Sequence, residues 1–334
     1  MSDSVTSFGE VISELRMAKS LVGLNRDKKK VWTSFCFHFT NLNNAVSILQ
    51  NGMLVSRKKA LESGIMENEN ASIDVINQTD EEWKKYVRLY FRPRTPTQYN
   101  NEGFRSKSNL GYLQAHCPFP VFFLFDLEET LQKPNCYFTK NSLAKSGEHE
   151  LLQTPQQFSE LPFSNIYHEG PSESHERDEI VACRHAEIVV LDELKLDETL
   201  KFIIVRSQSE KNTLLSLLGP TETEKYADKI KVDNKQIMFF SLWTYVSKAE
   251  LSSDKVILTF NNGLGDKTFN LKIKMTDPQS GLTNEVVFSD YNCNGPFKGK
   301  IGTPLMEYRI EVYLDDNLAY ADCYNGHEES DLPF

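Results

Sequence analysis

Apolar residues recur at helical spacing from Phe8 to Leu24, at Val11, Ile12, Leu15, Ala18 and Val22, and predict an amphipathic opening helix that the polar run Asn25 to Lys30 ends. Val31 to Phe39 is rich in aromatic and β-branched residues and predicts a strand. The strand leads into a helix over Asn44 to Gln50, where Ala45, Ile48 and Leu49 share one face and Gly52 is placed to cap the end. From Ser56 to Glu82 the pattern loses any steady period and predicts a long polar excursion. Tyr86 to Phe91 and Val121 to Leu127 predict buried strands, with a loop over a site between them at Asn100 to Cys117. A second polar stretch, Lys145 to Arg177, precedes a strand at Glu187 to Leu191. Phe202 to Val205 predicts a further strand before a helix over Ser209 to Leu218. After about Lys235 strict alternation takes over, at Phe269, Leu271, Ile273 and Met275 and again at Tyr308, Ile310, Val312 and Leu314, with Asp315-Asp316-Asn317 as a hairpin turn. The pattern as a whole predicts an α+β domain over 1–235 and a small all-β, sandwich-like domain over 236–334.

A chain of 334 residues with 40% hydrophobic content can bury a sizeable core. No run approaches the roughly 20 apolar residues of a membrane span, and the polar, acidic start does not look like a secretory leader. The 6 cysteines lie far apart without a Cys-x-x-Cys pair, and the 7 histidines show no ligand spacing. A cytoplasmic protein with free thiols and no structural metal is expected. The net charge of -10 argues against non-specific coating of nucleic acid. One stretch departs from that balance: Lys84, Lys85, Arg88, Arg92, Arg94, Arg105 and Lys107 are opposed by Glu102 alone, a formal +6. Such a stretch suits either phosphate binding or a solvated strand edge.

Three segments do not look like ordinary scaffold. His38-Phe39-Thr40-Asn41-Leu42-Asn43-Asn44 gathers an imidazole, a hydroxyl and three amides where a strand enters a helix. The cluster suits directed hydrogen bonds to ribose hydroxyls and a carboxamide, and Thr40, Asn43 or Asn44 equally suits helix capping. Val87-Arg88-Leu89-Tyr90-Phe91-Arg92-Pro93-Arg94-Thr95-Pro96 sets guanidinium groups around an aromatic strand. Arginine suits phosphate and an aromatic face suits a stacked ring, while Leu89 and Phe91 suit the core. Arg184-His185-Ala186-Glu187-Ile188-Val189-Val190 places a carboxylate at the mouth of a wholly apolar run. Desolvation disfavours a carboxylate there, so Glu187 calls for a reason, either chemistry or an ion pair with Arg177 or Arg184. The chain has no Gly-rich nucleotide loop.

Taken in order over roughly Val31 to Gly219, these segments resemble the DarT family of ADP-ribosyltransferases, toxin halves of toxin-antitoxin and phage-defence systems. The resemblance rests on Phe37-His38-Phe39-Thr40 with Asn44 and Gly52, on Leu89 to Pro96, on Phe138-Thr139-Lys140, and on Ala186-Glu187-Ile188-Val189-Val190. It implies an ADP-ribosyltransferase-like mixed sheet with helices and NAD as a consumed co-substrate. His38, Thr40, Asn44, Tyr90 and Arg94 would hold NAD, with Tyr90 near the nicotinamide, and Glu187 would be the catalytic glutamate. Arg88, Arg92, Arg105 and Lys107 would follow a single-stranded DNA or RNA backbone, and a cognate antitoxin would be a partner. The family's catalytic arginine precedes the aromatic strand, yet Ser72 to Glu82 contains none, which leaves Arg57, Arg88, Arg92 and Arg94 as candidates. Transfer to a protein side chain and an inactive partner-binding module are the alternatives.

Overall fold

The structure is a computed structural model and describes residues 7–21, 23–64, 80–109, 116–143 and 149–326. Val22, the middle of the first polar excursion (65–79) and residues 110–115 of the expected loop lie outside these. Two compact units emerge, one from 1–100, 121–204 and 237–239, the other from 101–120, 205–236 and 240–334. They interleave along the chain, where the sequence pattern suggested a single division at 235/236.

In the first unit the strands are Phe35–Asn41 (β1), Met53–Val55 (β2), Tyr86–Tyr90 (β3), Pro120–Asp126 (β4), Cys136–Phe138 (β5), Glu187–Leu191 (β6), Glu193–Lys195 (β7) and Leu200–Val205 (β8). Within this unit the main sheet runs β5–β6–β3–β1–β4–β8, and β2 pairs with β7 apart from it. β3 is antiparallel to both neighbours, with Phe37 opposite Tyr90 on one side and Tyr90 opposite Glu187 on the other. The apolar runs of β4 and β6 are buried on both faces, which explains their lack of alternation.

The opening helix, Phe8–Met17, is shorter than expected and starts on a capping box made by Ser7 and Glu10. Val31 and Trp32, expected to open a strand, instead end the helix Arg26–Trp32, which Asn25 caps through its side chain. Tertiary packing overrides their β preference: Trp32 is fully buried, and its indole donates to the Ile237 carbonyl at 3.3 Å. The helix Leu42–Asn51 forms as expected and ends on Gly52 at φ 66°, in the left-handed region.

In the second unit a three-stranded sheet orders Val246–Leu251 (β10), Lys255–Phe260 (β11) and Phe297–Lys300 (β14), counting Ile230–Val232 as β9. A four-stranded sheet orders Thr283–Asn292 (β13), Thr268–Thr276 (β12), Tyr308–Leu314 (β15) and Asn317–Tyr324 (β16). The alternation read from the sequence holds at Phe269, Leu271 and Ile273 of β12 and at Tyr308, Ile310, Val312 and Leu314 of β15, which are buried, while Met275 is half-buried. The hairpin turn has Asp315 at φ 45° and Asp316 at φ 64°, the left-handed pair of a type I′ turn. Rings also meet between the two sheets, with Phe288 and Phe297 at 5.4 Å and Phe260 and Tyr291 at 6.5 Å. The helix Gln208–Leu217, expected in the first domain, belongs to this unit, where Thr213 Oγ1 accepts from the Ala321 amide at 3.0 Å.

Candidate active site

Glu187 opens β6 and is held by its backbone before its side chain is considered. Its carbonyl accepts from the Thr139 amide at 2.9 Å, and its amide donates to Thr139 Oγ1 at 3.3 Å, just beyond the end of β5. Because Tyr90 stands opposite Glu187, Arg88 two residues along β3 lies diagonally across on the same face. Arg88 Nε and Nη2 donate to the two carboxylate oxygens at 2.8 and 2.6 Å. Ser142 Oγ donates to the same carboxylate at 3.2 Å. The Glu187 side chain is 0% exposed and that of Arg88 26%, so the carboxylate is enclosed while its partner keeps some contact with solvent. Burial works against the charge on Arg88, but the Glu187 carboxylate outweighs it and raises the guanidinium pKa. The expected ion pairs of Glu187 with Arg177 or Arg184 are not formed: Arg184 donates to the His168 and Gly170 carbonyls.

His38 sits on β1 beside this pair. Its Nδ1 lies 3.2 Å from the Arg88 carbonyl, and burial lowers its pKa, so the ring is neutral near pH 7 with Nδ1–H donating and Nε2 left as an acceptor. Tyr90 is pushed up to about 12 by burial and by the Glu187 carboxylate, which keeps it a neutral phenol. Thr40 is buried and Asn44 half-buried. Neither they nor Asn43 supply the expected helix cap through the side chain, because Asn41 Oδ1 accepts from the Asn43 amide at 2.8 Å. Asn41 was part of the segment without being singled out for this role.

Arg92 and Arg94 form a second cluster in the same unit, around Glu169. Arg92 is 2% exposed; it donates to the Glu169 carboxylate at 2.8 Å and to the carbonyls of Pro93, Ile166 and His168, and lies 4.5 Å above the Trp32 ring. A guanidinium so enclosed faces the protein rather than a solvent-borne strand. Burial, the largest influence, lowers its pKa to about 9. Arg94 adopts φ 57° and reaches Glu169 at 3.1 Å and the Phe239 carbonyl at 2.8 Å. Lys28 adds a third cation at 2.8 Å from Glu169. Arg105 and Lys107 belong to the second unit, where the Arg105 guanidinium lies 4.6 Å above the Trp243 ring and Lys107 is exposed.

The structure thus gathers Glu187, Arg88, His38 and Tyr90 on three adjacent strands and sets the other arginines elsewhere. Ser142 joins the first cluster and Glu169 the second without a signal in the sequence pattern, Glu169 because it lies in a polar stretch that carries no period. The donors around Glu187 are a neutral imidazole, a phenol, hydroxyls and one guanidinium, a set suited to an uncharged ribose and carboxamide with one developing charge. Among the described residues no cluster of metal-ligating side chains occurs.

Residues 37–240 match the family model described as DarT, ssDNA thymidine ADP-ribosyltransferase. Among solved structures, Thermus sp. 2.9 DarT in complex with ADP-ribosylated ssDNA aligns with a TM-score of 0.47 at 15% identity, over 62% of this chain and 96% of that one. The same protein in complex with carba-NAD+ aligns with a TM-score of 0.47 at 15% identity, over 62% and 98%. Its complex with NAD+ gives 0.44 at 15% identity, over 60% and 92%. No curated protein matches the chain.

Proposed function

The chain belongs to the DarT family of ssDNA thymidine ADP-ribosyltransferases, and on that premise we propose that it consumes NAD to place ADP-ribose on a base of single-stranded DNA, with Glu187 as the catalytic carboxylate. In this reaction the bond between ribose C1′ and the nicotinamide nitrogen breaks, a bond from C1′ to the base forms, and nicotinamide and one proton leave. The observation that carries the reading is the carboxylate of Glu187, fixed by Arg88 at 2.8 and 2.6 Å in a segment that the family model covers. The breaking bond leaves positive charge on the ribose. A carboxylate fixed beneath it stabilises that charge or takes the proton from the base.

Arg88 is a positioning residue in this account: its two nitrogens orient both carboxylate oxygens. His38 Nε2 accepts from a ribose hydroxyl, and the Tyr90 phenol stands near the nicotinamide ring, with Thr40 and Asn44 adjoining. Arg94, engaged by Glu169, holds the loop after β3 and faces the NAD diphosphate from there. We extend the proposal to a cytoplasmic toxin restrained by a cognate antitoxin in phage defence, and to RNA as a second candidate strand. No helix among the described residues is long and apolar enough to cross a membrane.

Mass spectrometry of matched DNA and RNA oligonucleotides after incubation with NAD tests the reading. An adduct of one ADP-ribose on a DNA base supports it, an adduct on RNA alone changes the polymer, and NAD consumption that follows added protein instead moves the target to a side chain. The complete burial of Glu187 beneath Arg88 and Ser142 favours one other reading, a partner-binding module without turnover. Absence of NAD binding in calorimetry would establish it.

A further inference from the structure

The three-stranded sheet of the second unit has one face whose charges do not balance. Across β11 and β14, Lys255 stands directly opposite Lys300, and Ile257 opposite Lys298, so the three lysines share a face with Ile257 and Thr259. Lys248 on β10 stands opposite Thr259 and joins them. Two lysines in direct cross-strand register repel each other, and that arrangement destabilises a sheet that has nothing to gain from it. Glu250, opposite Ile257 on this same face, is the one acidic residue of β10, β11 and β14; Lys248 engages its carboxylate at 2.5 Å and Lys255 also acts on it, so the face keeps an excess of three positive charges. Among the described residues, Lys255, Lys298 and Lys300 form no ion pair.

The neighbouring four-stranded sheet shows what a balanced face looks like in the same unit. There Lys272 meets Asp316 at 2.8 Å and Lys274 meets Glu285 at 3.6 Å. Lysines on an exposed edge strand discourage edge-to-edge aggregation, which would account for Lys298 and Lys300 on β14. It does not account for Lys255, because β11 is the central strand of its sheet and has no open edge. A concentration of unpaired cations in a chain of net charge -10 calls for an anionic ligand.

We propose that this face, Lys255, Lys298 and Lys300 with Lys248 at its border, is a binding platform for the phosphate backbone of single-stranded nucleic acid. Lys298 and Lys300 are two residues apart on a strand, about 6.6 Å, and Lys255 opposite Lys300 completes a triangle of point charges on one face. Ile257 and Thr259, next along β11 on the same face, offer an uncharged floor over which bases can lie without directed hydrogen bonds. The platform therefore binds without sequence preference, through charge. This inference rests on the reading of a single-stranded nucleic acid as substrate, and it gives the second unit a share in holding that strand.

The test is fluorescence anisotropy with a labelled single-stranded DNA of mixed sequence about 20 nucleotides long, in the absence of NAD, over a series of salt concentrations. The triple variant Lys255→Ala, Lys298→Ala, Lys300→Ala is expected to bind about tenfold more weakly at low salt and to reduce the slope of log affinity against log salt by about 2, at roughly 0.7 per neutralised phosphate. The double variant Lys272→Ala, Lys274→Ala controls for net charge and is expected to leave the slope nearly unchanged. An unchanged affinity and slope in the triple variant, with an unchanged melting temperature, overturns the platform, and so does an equal loss in the double variant. Adduct formation by the unaltered protein on a short oligonucleotide is measured alongside. If that occurs while the triple variant binds normally, the platform fails and the transferase reading stands; if no oligonucleotide is modified while the triple variant loses binding, the reverse holds.

Discussion

Arg88 and Glu187 meet diagonally across β3 and β6, two guanidinium nitrogens on two carboxylate oxygens at 2.8 and 2.6 Å. Glu187 is the acceptor and is fully buried, so the pair fixes where the carboxylate points. Replacing it by Glu187→Gln keeps the shape and removes the charge. Transfer of ADP-ribose should fall by about 10² to 10⁴ fold while the circular dichroism spectrum is retained. Full activity in a folded Gln variant would remove Glu187 from the chemistry.

Lysine in place of Arg88 supplies a charge without the planar fork, so it can hold one carboxylate oxygen but not both. Arg88→Lys should lower kcat more than it raises KM for NAD, because the loss lies in orienting Glu187 rather than in binding the dinucleotide. Arg88→Ala leaves the carboxylate buried with only Ser142 and should also lower the melting temperature. Steady-state kinetics that showed a rise in KM alone would assign Arg88 to NAD binding instead.

Acidification should destabilise the protein in two stages. Burial lowers the pKa of His38, and also that of His116 to about 4 and of His168, so the unfolded chain takes up these protons first. Stability is therefore present above the ordinary value of 6.5 and is lost as the pH falls through it toward the lower folded values. Glu169, held below the ordinary 4.5 by its cations against the opposing effect of burial, adds stability above that value that is lost as the pH falls further. Melting temperatures measured from pH 8 to pH 3 should show both stages, and His38→Gln should shrink the upper one alone.

Glu169 is the shared partner of Lys28, Arg92 and Arg94. Glu169→Ala leaves the enclosed Arg92 guanidinium with carbonyls and the Trp32 ring but no counter-charge, a loss of about 3 kcal/mol. The melting temperature should drop by about 5 to 10 °C, and calorimetry reads it directly. A drop of under a degree would mean that the carbonyls of Ile166 and His168 suffice.

Much of this architecture could be read from the chain because its central strands are apolar runs. Ile188, Val189 and Val190 could only be buried, and Glu187 ahead of them stood out for that reason. The partner of Glu187 was not legible in the same way. Arg88 lies 99 residues earlier, and only the antiparallel register of β3 on β6 brings it across, whereas Arg184 is near in sequence and turns to His168. Arg92 read as a phosphate ligand because the Glu169 that engages it lies 77 residues away in a stretch without pattern. Trp32 was misplaced for the opposite reason, since its local β preference yields to a burial site that includes Ile237 and Arg92.

The central claim is transfer of ADP-ribose to a base by a carboxylate at position 187. The most direct test is mass spectrometry of a single-stranded DNA oligonucleotide incubated with NAD and either the unaltered protein or Glu187→Gln. The account predicts an ADP-ribose adduct on a base with the former and none with the latter. An equal adduct with both, or none on DNA while nicotinamide is still released, would contradict it.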